Sequence, residues 1–182
     1  MDRRVKRTKE AILGAVLSLI TEKDYRKISI SEVARRADID RKTFYLHYSG
    51  VEQVLTEFSE NTVNTLHEKL VGNGYFLDPS NLTLLYKGVN GVISERIEIF
   101  RHLAKSKNFD TFWVSINDFI IRNLTDAFSQ SYGYDQRKSH AYAEFVTGGA
   151  KSVYRAWLSG EIEATIDELP KLFQAVSPVY AY

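Results

Sequence analysis

Residues 29–48 read Ser29-Ile30-Ser31-Glu32-Val33-Ala34-Arg35-Arg36-Ala37-Asp38-Ile39-Asp40-Arg41-Lys42-Thr43-Phe44-Tyr45-Leu46-His47-Tyr48. Two short helical stretches are legible here, divided by a turn. Ser29-x-x-Glu32 has the form of a capping box: the serine side chain accepts from the amide three residues on, and the glutamate reaches back to the cap amide. This predicts a helix from about Ile30 to Ala37. Asp38-Ile39-Asp40 is then a tight turn, because aspartate tolerates a left-handed backbone better than most residues and Asp40 can cap the next helix. The second helix covers Arg41 to His47, and Ser49-Gly50 ends it. Val33, Ala34, Ala37, Ile39 and Phe44 supply an apolar seam, which leaves Arg41, Lys42, Thr43, Tyr45 and His47 as groups that can face outward. A short helix, a tight turn and a second short helix form a helix-turn-helix, dimensioned for a major groove about 12 Å wide that admits one helix. Many helix pairs share that spacing, so taken bare it leaves nucleic-acid binding open.

Upstream, Met1-Asp2-Arg3-Arg4-Val5-Lys6-Arg7-Thr8-Lys9-Glu10 precedes the apolar run Ala11 to Ile20. A basic stretch followed by apolar residues has the outline of a secretory signal. Glu10 abuts the run, however, and Thr21-Glu22-Lys23-Asp24 follows it in place of a small-x-small cleavage site. Ile12, Val16, Leu19 and Ile20 recur at helical spacing, joined by Leu13 and Leu17. The segment reads as a buried first helix from about Arg4 to Glu22, well short of the roughly twenty apolar residues that span a membrane.

Downstream, helices are expected at Val51 to Leu70, Leu82 to Ser94, Glu95 to Lys105, Phe109 to Ser131, Asp135 to Ser159 and Asp167 to Ala175. Gly72-Asn73-Gly74, Asp78-Pro79-Ser80, Tyr132-Gly133-Tyr134 and Gly160 mark the breaks. No stretch sustains strand alternation, so the expected fold is all-α with about nine helices. The 182 residues carry a net charge of +1. That figure conceals an asymmetry: residues 1–50 hold 12 Lys/Arg against 7 Asp/Glu, and the remainder 12 against 16. Only 4 of the 23 aromatic residues fall in those first fifty. A basic head on an acidic, aromatic-rich body suggests a polyanion-binding module joined to a body that packs or binds something apolar.

The stretch from Ile30 to Tyr48, continuing through Glu52-Gln53-Val54-Leu55, closely resembles the signature of the TetR family of transcriptional regulators, with Thr43-Phe44-Tyr45-x-His47-Tyr48 as its distinctive core. More weakly, Phe145 to Leu158 resembles the dimerisation helix of a subgroup that includes dihydroxyacetone-kinase regulators. The resemblance implies a bacterial, cytoplasmic homodimer, a repressor of a pseudo-palindromic double-stranded DNA operator. Residues 1–50 would be the DNA-binding domain, a fourth helix at about 51–70 the linker, and residues 71–182 a regulatory and dimerisation domain. Thr43, Tyr45 and His47 match positions that contact DNA, mostly its phosphates. Arg41 and Lys42 match variable positions that reach bases or backbone, and Ser29 joins the same candidate set. Two departures stand out. Asp38 replaces the usual glycine of the turn, and Val51 replaces the usual lysine that opens the fourth helix. Arg3, Arg4, Lys6 and Arg7 are the candidates to supply the missing phosphate contact as a basic arm. Blander readings stand beside these: a solvated helix start for Arg3 to Lys9, a core aromatic for Tyr45, a structural hydrogen-bonder for His47, and a solvated face for Arg35 and Arg36.

In the body, Phe109, Phe112, Trp113, Ile116, Phe119 and Ile120 follow helical spacing and read first as core. The alternative is the wall of a pocket for a small-molecule effector, with Tyr86, Phe100, His102, Phe112, Trp113, Phe119 and Tyr142 as candidates. Gly148-Gly149 inside a long helix costs roughly 1 kcal/mol per glycine relative to alanine. Close approach of a partner helix would explain the pair. Phe145, Gly148, Gly149, Val153, Tyr154, Trp157, Leu169, Leu172 and Phe173 are therefore the candidate dimer interface, with packing inside one chain as the alternative. The four histidines (47, 67, 102 and 140) show no His-Glu-x-x-His spacing, and there is no cysteine, Walker loop or dinucleotide glycine pattern. Neither catalysis nor a metal or other cofactor is expected. The rival function is a TetR-like helical adaptor that senses through protein contact or has lost DNA binding, which Val51 favours.

Overall fold

The structure, a computed structural model, describes residues 3–107 and 109–176. Among these it holds α1 (Arg3–Glu22), a 3₁₀ turn (Tyr25–Lys27), α2 (Ile30–Arg36), α3 (Arg41–Tyr45), α4 (Val51–Gly72), a second 3₁₀ turn (Tyr75–Leu77), α5 (Leu82–Glu95), α6 (Ile97–Lys105), α7 (Phe109–Tyr132), α8 (Gln136–Ser159) and α9 (Leu169–Val176). No strand occurs among the described residues, and the fold is all-α. No helix there is long and apolar enough to cross a membrane. Helix ends fall within two residues of those expected from sequence. The signals that set them are local: Asp135 caps α8 by accepting from the Lys138 amide at 2.8 Å, as a side chain at that position does for an orphan helical amide.

One core runs the length of the molecule. Ile12, Val16, Leu19 and Ile20 of α1 are buried in it together with Val33 and Phe44 of the two short helices. It continues through Val51, Val54 and Phe58 to Leu66 and Leu70, so α4 belongs to both ends. At its far end α4 lies so close to α5 that a Cβ on Gly88 would stand 2.5 Å from Leu70 Cδ2; a side chain there would have to displace the buried Leu70. The body is built on the α7–α8 pair, with α6 against both, α5 packed on α4 and α9 packed on α5. Its aromatic residues pack on one another: Phe109 on Trp113 at 5.3 Å between ring centres, Phe58 on Phe112 at 5.0 Å and Tyr86 on Phe173 at 4.2 Å. Tyr154, 2% exposed, donates to Asn90 Oδ1 at 2.6 Å, and Asn90 Nδ2 donates to the Ile166 carbonyl at 2.8 Å. This buried polar chain ties α8, α5 and the segment before α9 together. Burial pushes the Tyr154 hydroxyl well above the ordinary tyrosine range.

Candidate nucleic-acid interface

The short helices are held by their caps before any packing. The Ser29 hydroxyl accepts from the Glu32 amide at 3.3 Å, and Glu32 Oε2 accepts from the Ser29 amide at 2.9 Å. Glu32 also pairs with Lys23. The Lys23 ammonium first, then the Ser29 amide and hydroxyl, hold its carboxyl down at about 2. Asp40 Oδ1 accepts from the Thr43 amide at 2.6 Å, and that bond lowers the Asp40 carboxyl below its ordinary value. Between the caps, Asp38 takes φ +53°, the only left-handed residue other than glycine among those described. Such a backbone costs an L-residue roughly 1 kcal/mol or more. Asp38→Gly is therefore expected to raise stability by about 0.5 kcal/mol, the relieved strain less the greater entropy of an unfolded glycine. A thermal melt checks this; a lower midpoint would show that the Asp38 side chain holds the turn.

Phe44 and Val33, both 0% exposed, are buried where α2 packs on α1 and α3 packs on α2. With that face pinned, the opposite face is outward. Arg41 and Lys42 are exposed, Thr43 and His47 half-buried, and Tyr45 is 52% exposed. Tyr45 is thus not a core aromatic. The helix ends at Tyr45 rather than His47: the amides of His47 and Tyr48 both turn back to the Phe44 carbonyl at 3.0 Å, and Tyr48 is drawn inside.

Arg4, Val5 and Thr8 of α1 share a concavity of about 790 Å³ with Arg35, Asp38, Thr43, Leu46 and His47. Arg3 and Arg7 border the neighbouring hollow, together with Arg4 and Ile39. Lys6 is exposed and stands 4.0 Å from Glu10. Of the expected basic arm, Arg4 thus stands beside the end of α3. Ser29 is committed to its cap and gives its hydroxyl proton to Glu32 Oε2 at 2.8 Å. Arg36 is held by Glu22 at 2.6 Å and by Ser18 at 2.8 Å. Leu46, 73% exposed, belongs to this surface and was not among the expected contacts; as the variable residue inside the motif core it carries no polar signal. Val51 is buried in the core. Its side chain turns inward, so the place of the usual lysine is filled by a packing residue.

The candidate effector residues do not converge. Tyr86 and Trp113 border a slot of about 20 Å³ between α5, α7 and α8, and Phe112 borders a different cavity. Phe100, 1% exposed, lies against Phe112 and Trp113. His102 is exposed, with Nδ1 2.6 Å from the Glu98 carbonyl of its own helix. Phe119 meets His67 edge-on, and Tyr142 packs on Phe128. Helical spacing identified the aromatic residues but pooled those of several faces; of the seven, Phe100, Phe112 and Trp113 meet one another as core.

The candidate dimer residues divide in the same way. Tyr154, Leu169 and Phe173 lie inside the subunit's own core, at 2%, 0% and 3% exposure, which corrects their assignment to an interface. Trp157 donates to the Ala164 carbonyl of its own chain at 2.7 Å, and Val153 packs partly on the core. Phe145 and Leu172 are exposed at 65% and 40%. A Cβ on Gly148 or Gly149 would meet nothing within 4 Å, so packing within this chain does not account for the glycine pair.

Residues 12–58 match the family described as bacterial regulatory proteins, tetR family. The HTH-type transcriptional regulator YxbF of Bacillus subtilis is 48% identical over 56 residues, which are 30% of this chain and 15% of that protein. The match thus spans only a small share of this curated relative's length. A TetR-like transcriptional regulator from Rhodococcus sp. RHA1 superposes with a TM-score of 0.67 at 18% identity, covering 92% of each chain. The dihydroxyacetone kinase operon activator DhaS does so with a TM-score of 0.53 at 18% identity, over 96% of this chain and 94% of that one. At such identities the superpositions speak for fold alone. The proteins matched are transcriptional regulators, not enzymes. The chain is thus similar to the tetR family of bacterial regulatory proteins over residues 12–58, and it shares the all-α fold of solved TetR-like regulators over nine-tenths of its length.

Proposed function

We propose that the chain is a homodimeric transcriptional regulator that seats α3 of each protomer in the major groove of a pseudo-palindromic operator in the bacterial cytoplasm. The observation that carries this reading is the outward face of α3, with Arg41, Lys42 and Tyr45 exposed on a helix capped at one end and pinned by Phe44, beside the basic start of α1. Residues 1–50 act as the DNA-binding domain, α4 as the lever and residues 71–182 as the regulatory and dimerisation domain. Dimerisation is supported by the outer side of α8. Ala141, Phe145, Gly148, Gly149, Ser152 and Ala156 fall on one stripe at helical spacing. Nearly all are small, and the one large residue is exposed, which suits close approach of a second copy. The recognition helices must then stand about 34–36 Å apart, or a multiple of that. An effector that favours one separation couples to DNA affinity through its differential affinity for the two geometries. A dimer seated on its operator excludes other proteins from that duplex, so repression follows from binding. The adaptor alternative leaned on Val51. With Val51 serving the core, and Arg4 in the same concavity as Thr43 and His47, that support falls away.

Duplexes selected by the protein from a random pool provide the test. Tyr45→Phe removes one phosphate hydrogen bond per half-site and is expected to weaken every selected sequence alike, by about tenfold per site. Arg41→Ala is expected to change which sequences are selected, because base edges rather than phosphates carry the sequence information. A protein that selects no duplex, or a Tyr45→Phe variant that binds as tightly as the parent, would count against the assigned face.

A further inference from the structure

Where the three N-terminal helices meet the body, the molecule holds a cavity of about 220 Å³. Ile20 at the end of α1, Tyr25 in the following turn, Leu103 of α6, and Phe112 with Ser115 of α7 line it. So does a single stripe of α4, Glu52, Leu55, Thr56, Ser59 and Glu60, spaced by three and four. An apolar floor with a few placed polar groups is the make-up of a small-molecule site. The polar groups here share one character. Glu52 and Glu60 are exposed carboxylates, and no basic side chain among the described residues lines the cavity. Arg26 offsets part of the Glu52 charge. Glu60 has no ion pair among the described residues.

We propose that this cavity binds a small organic ammonium ion with an aromatic or aliphatic body, and that its occupancy sets how tightly the chain holds DNA. The second half rests on the function proposed above. Carboxylates at the mouth attract a cation and repel an anion. Tyr25 and Phe112 are among the lining residues, and aromatic rings attract ammonium groups. The Tyr25 ring already holds one cation, the Arg26 guanidinium, 5.5 Å from its centre, so a ligand ammonium shares the ring with it or displaces it. Ser59 of α4, about nine-tenths buried, adds a hydroxyl-bearing side chain to the lining.

Regulation follows from location. The α1 helix packs on both α4 and α6, and the cavity lies among these three, so an occupant touches the end of α1 and the body together. It therefore binds with different affinity when α1 closes on α4 and α6 than when it parts from them, which is the difference that coupling requires.

Calorimetric titration of the full chain with benzyltrimethylammonium, against phenylacetate as the ring of opposite charge, tests the site. The cation is expected to bind, with phenylacetate about tenfold weaker or worse. Glu60→Gln should lower cation affinity about three- to fivefold, as loss of one exposed charge does. Ser115→Leu, which fills the cavity from an exposed position, should abolish binding with the melting temperature unchanged. With selected duplexes, saturating cation should shift the DNA dissociation constant by about fivefold or more. Equal binding of phenylacetate, no cation binding, or unchanged affinity in both variants overturns the site. Cation binding with no shift in DNA affinity overturns its regulatory role. A protein that selects no duplex sinks the earlier reading instead, and calorimetry still decides the site.

Discussion

Phe44→Ala is expected to cost about 3–5 kcal/mol, the range for deleting a buried phenylalanine, and to abolish specific DNA binding. Phe44 is 0% exposed on a helix of only five residues. A helix that short has no stability of its own, since nucleation alone exceeds what its few internal hydrogen bonds return. It stands because Asp40 caps its start and Phe44 pins its middle. The ring meets Tyr45 at 5.8 Å and Tyr48 at 6.1 Å, both between ring centres. Losing it therefore unseats the exposed face along with the core. Whole-domain stabilities are about 5–15 kcal/mol, so the loss is a large share of the total. Phe44→Leu keeps most of the volume and should cost no more than about 1.5 kcal/mol, with DNA binding retained. Thermal melts of both variants, paired with anisotropy titrations on a selected duplex, check the pair. An alanine variant that melts and binds like the parent would mean that α3 is held by something other than this seam.

DNA affinity is expected to fall by about 10³-fold or more as salt rises from roughly 50 to 200 mM. The formal charge of the first fifty residues overstates what is available. Lys9 is paired with Glu57, Lys23 with Glu32 and Arg36 with Glu22; these cations brace the module and release few counterions. Arg3, Arg7, Arg41 and Lys42 are exposed and make no ion pair among the described residues. Doubled in a dimer, they fall within the six to ten or so phosphate contacts for which losses of about 10³–10⁵ are usual over that salt range. The measurement is the slope of the logarithm of affinity against that of salt concentration, read on one duplex. A flat slope would show that these side chains meet no phosphates. Replacing Arg3 and Arg7 together by glutamine should reduce the slope while leaving the order of preferred sequences unchanged.

Several features of this protein are written in contiguous residues. The capping box at Ser29, the cap at Asp40, the left-handed turn at Asp38 and the ends of the long helices are each set by side chains acting within about four positions of themselves. That is why the helix-turn-helix and the all-α fold were legible before any coordinate. Only the tertiary structure decided which way ambiguous residues turn. Tyr154, Leu169 and Phe173 go inward while Phe145 stays out, although all carry the same apolar signal. Val51 goes to the core where a lysine was the usual residue. The cavity brings together residues from Ile20 to Ser115, and no local rule records their distances. Hydrophobicity says that a side chain leaves water. Which neighbour receives it depends on how whole helices pack, and that is settled only when all their faces compete for the same interior.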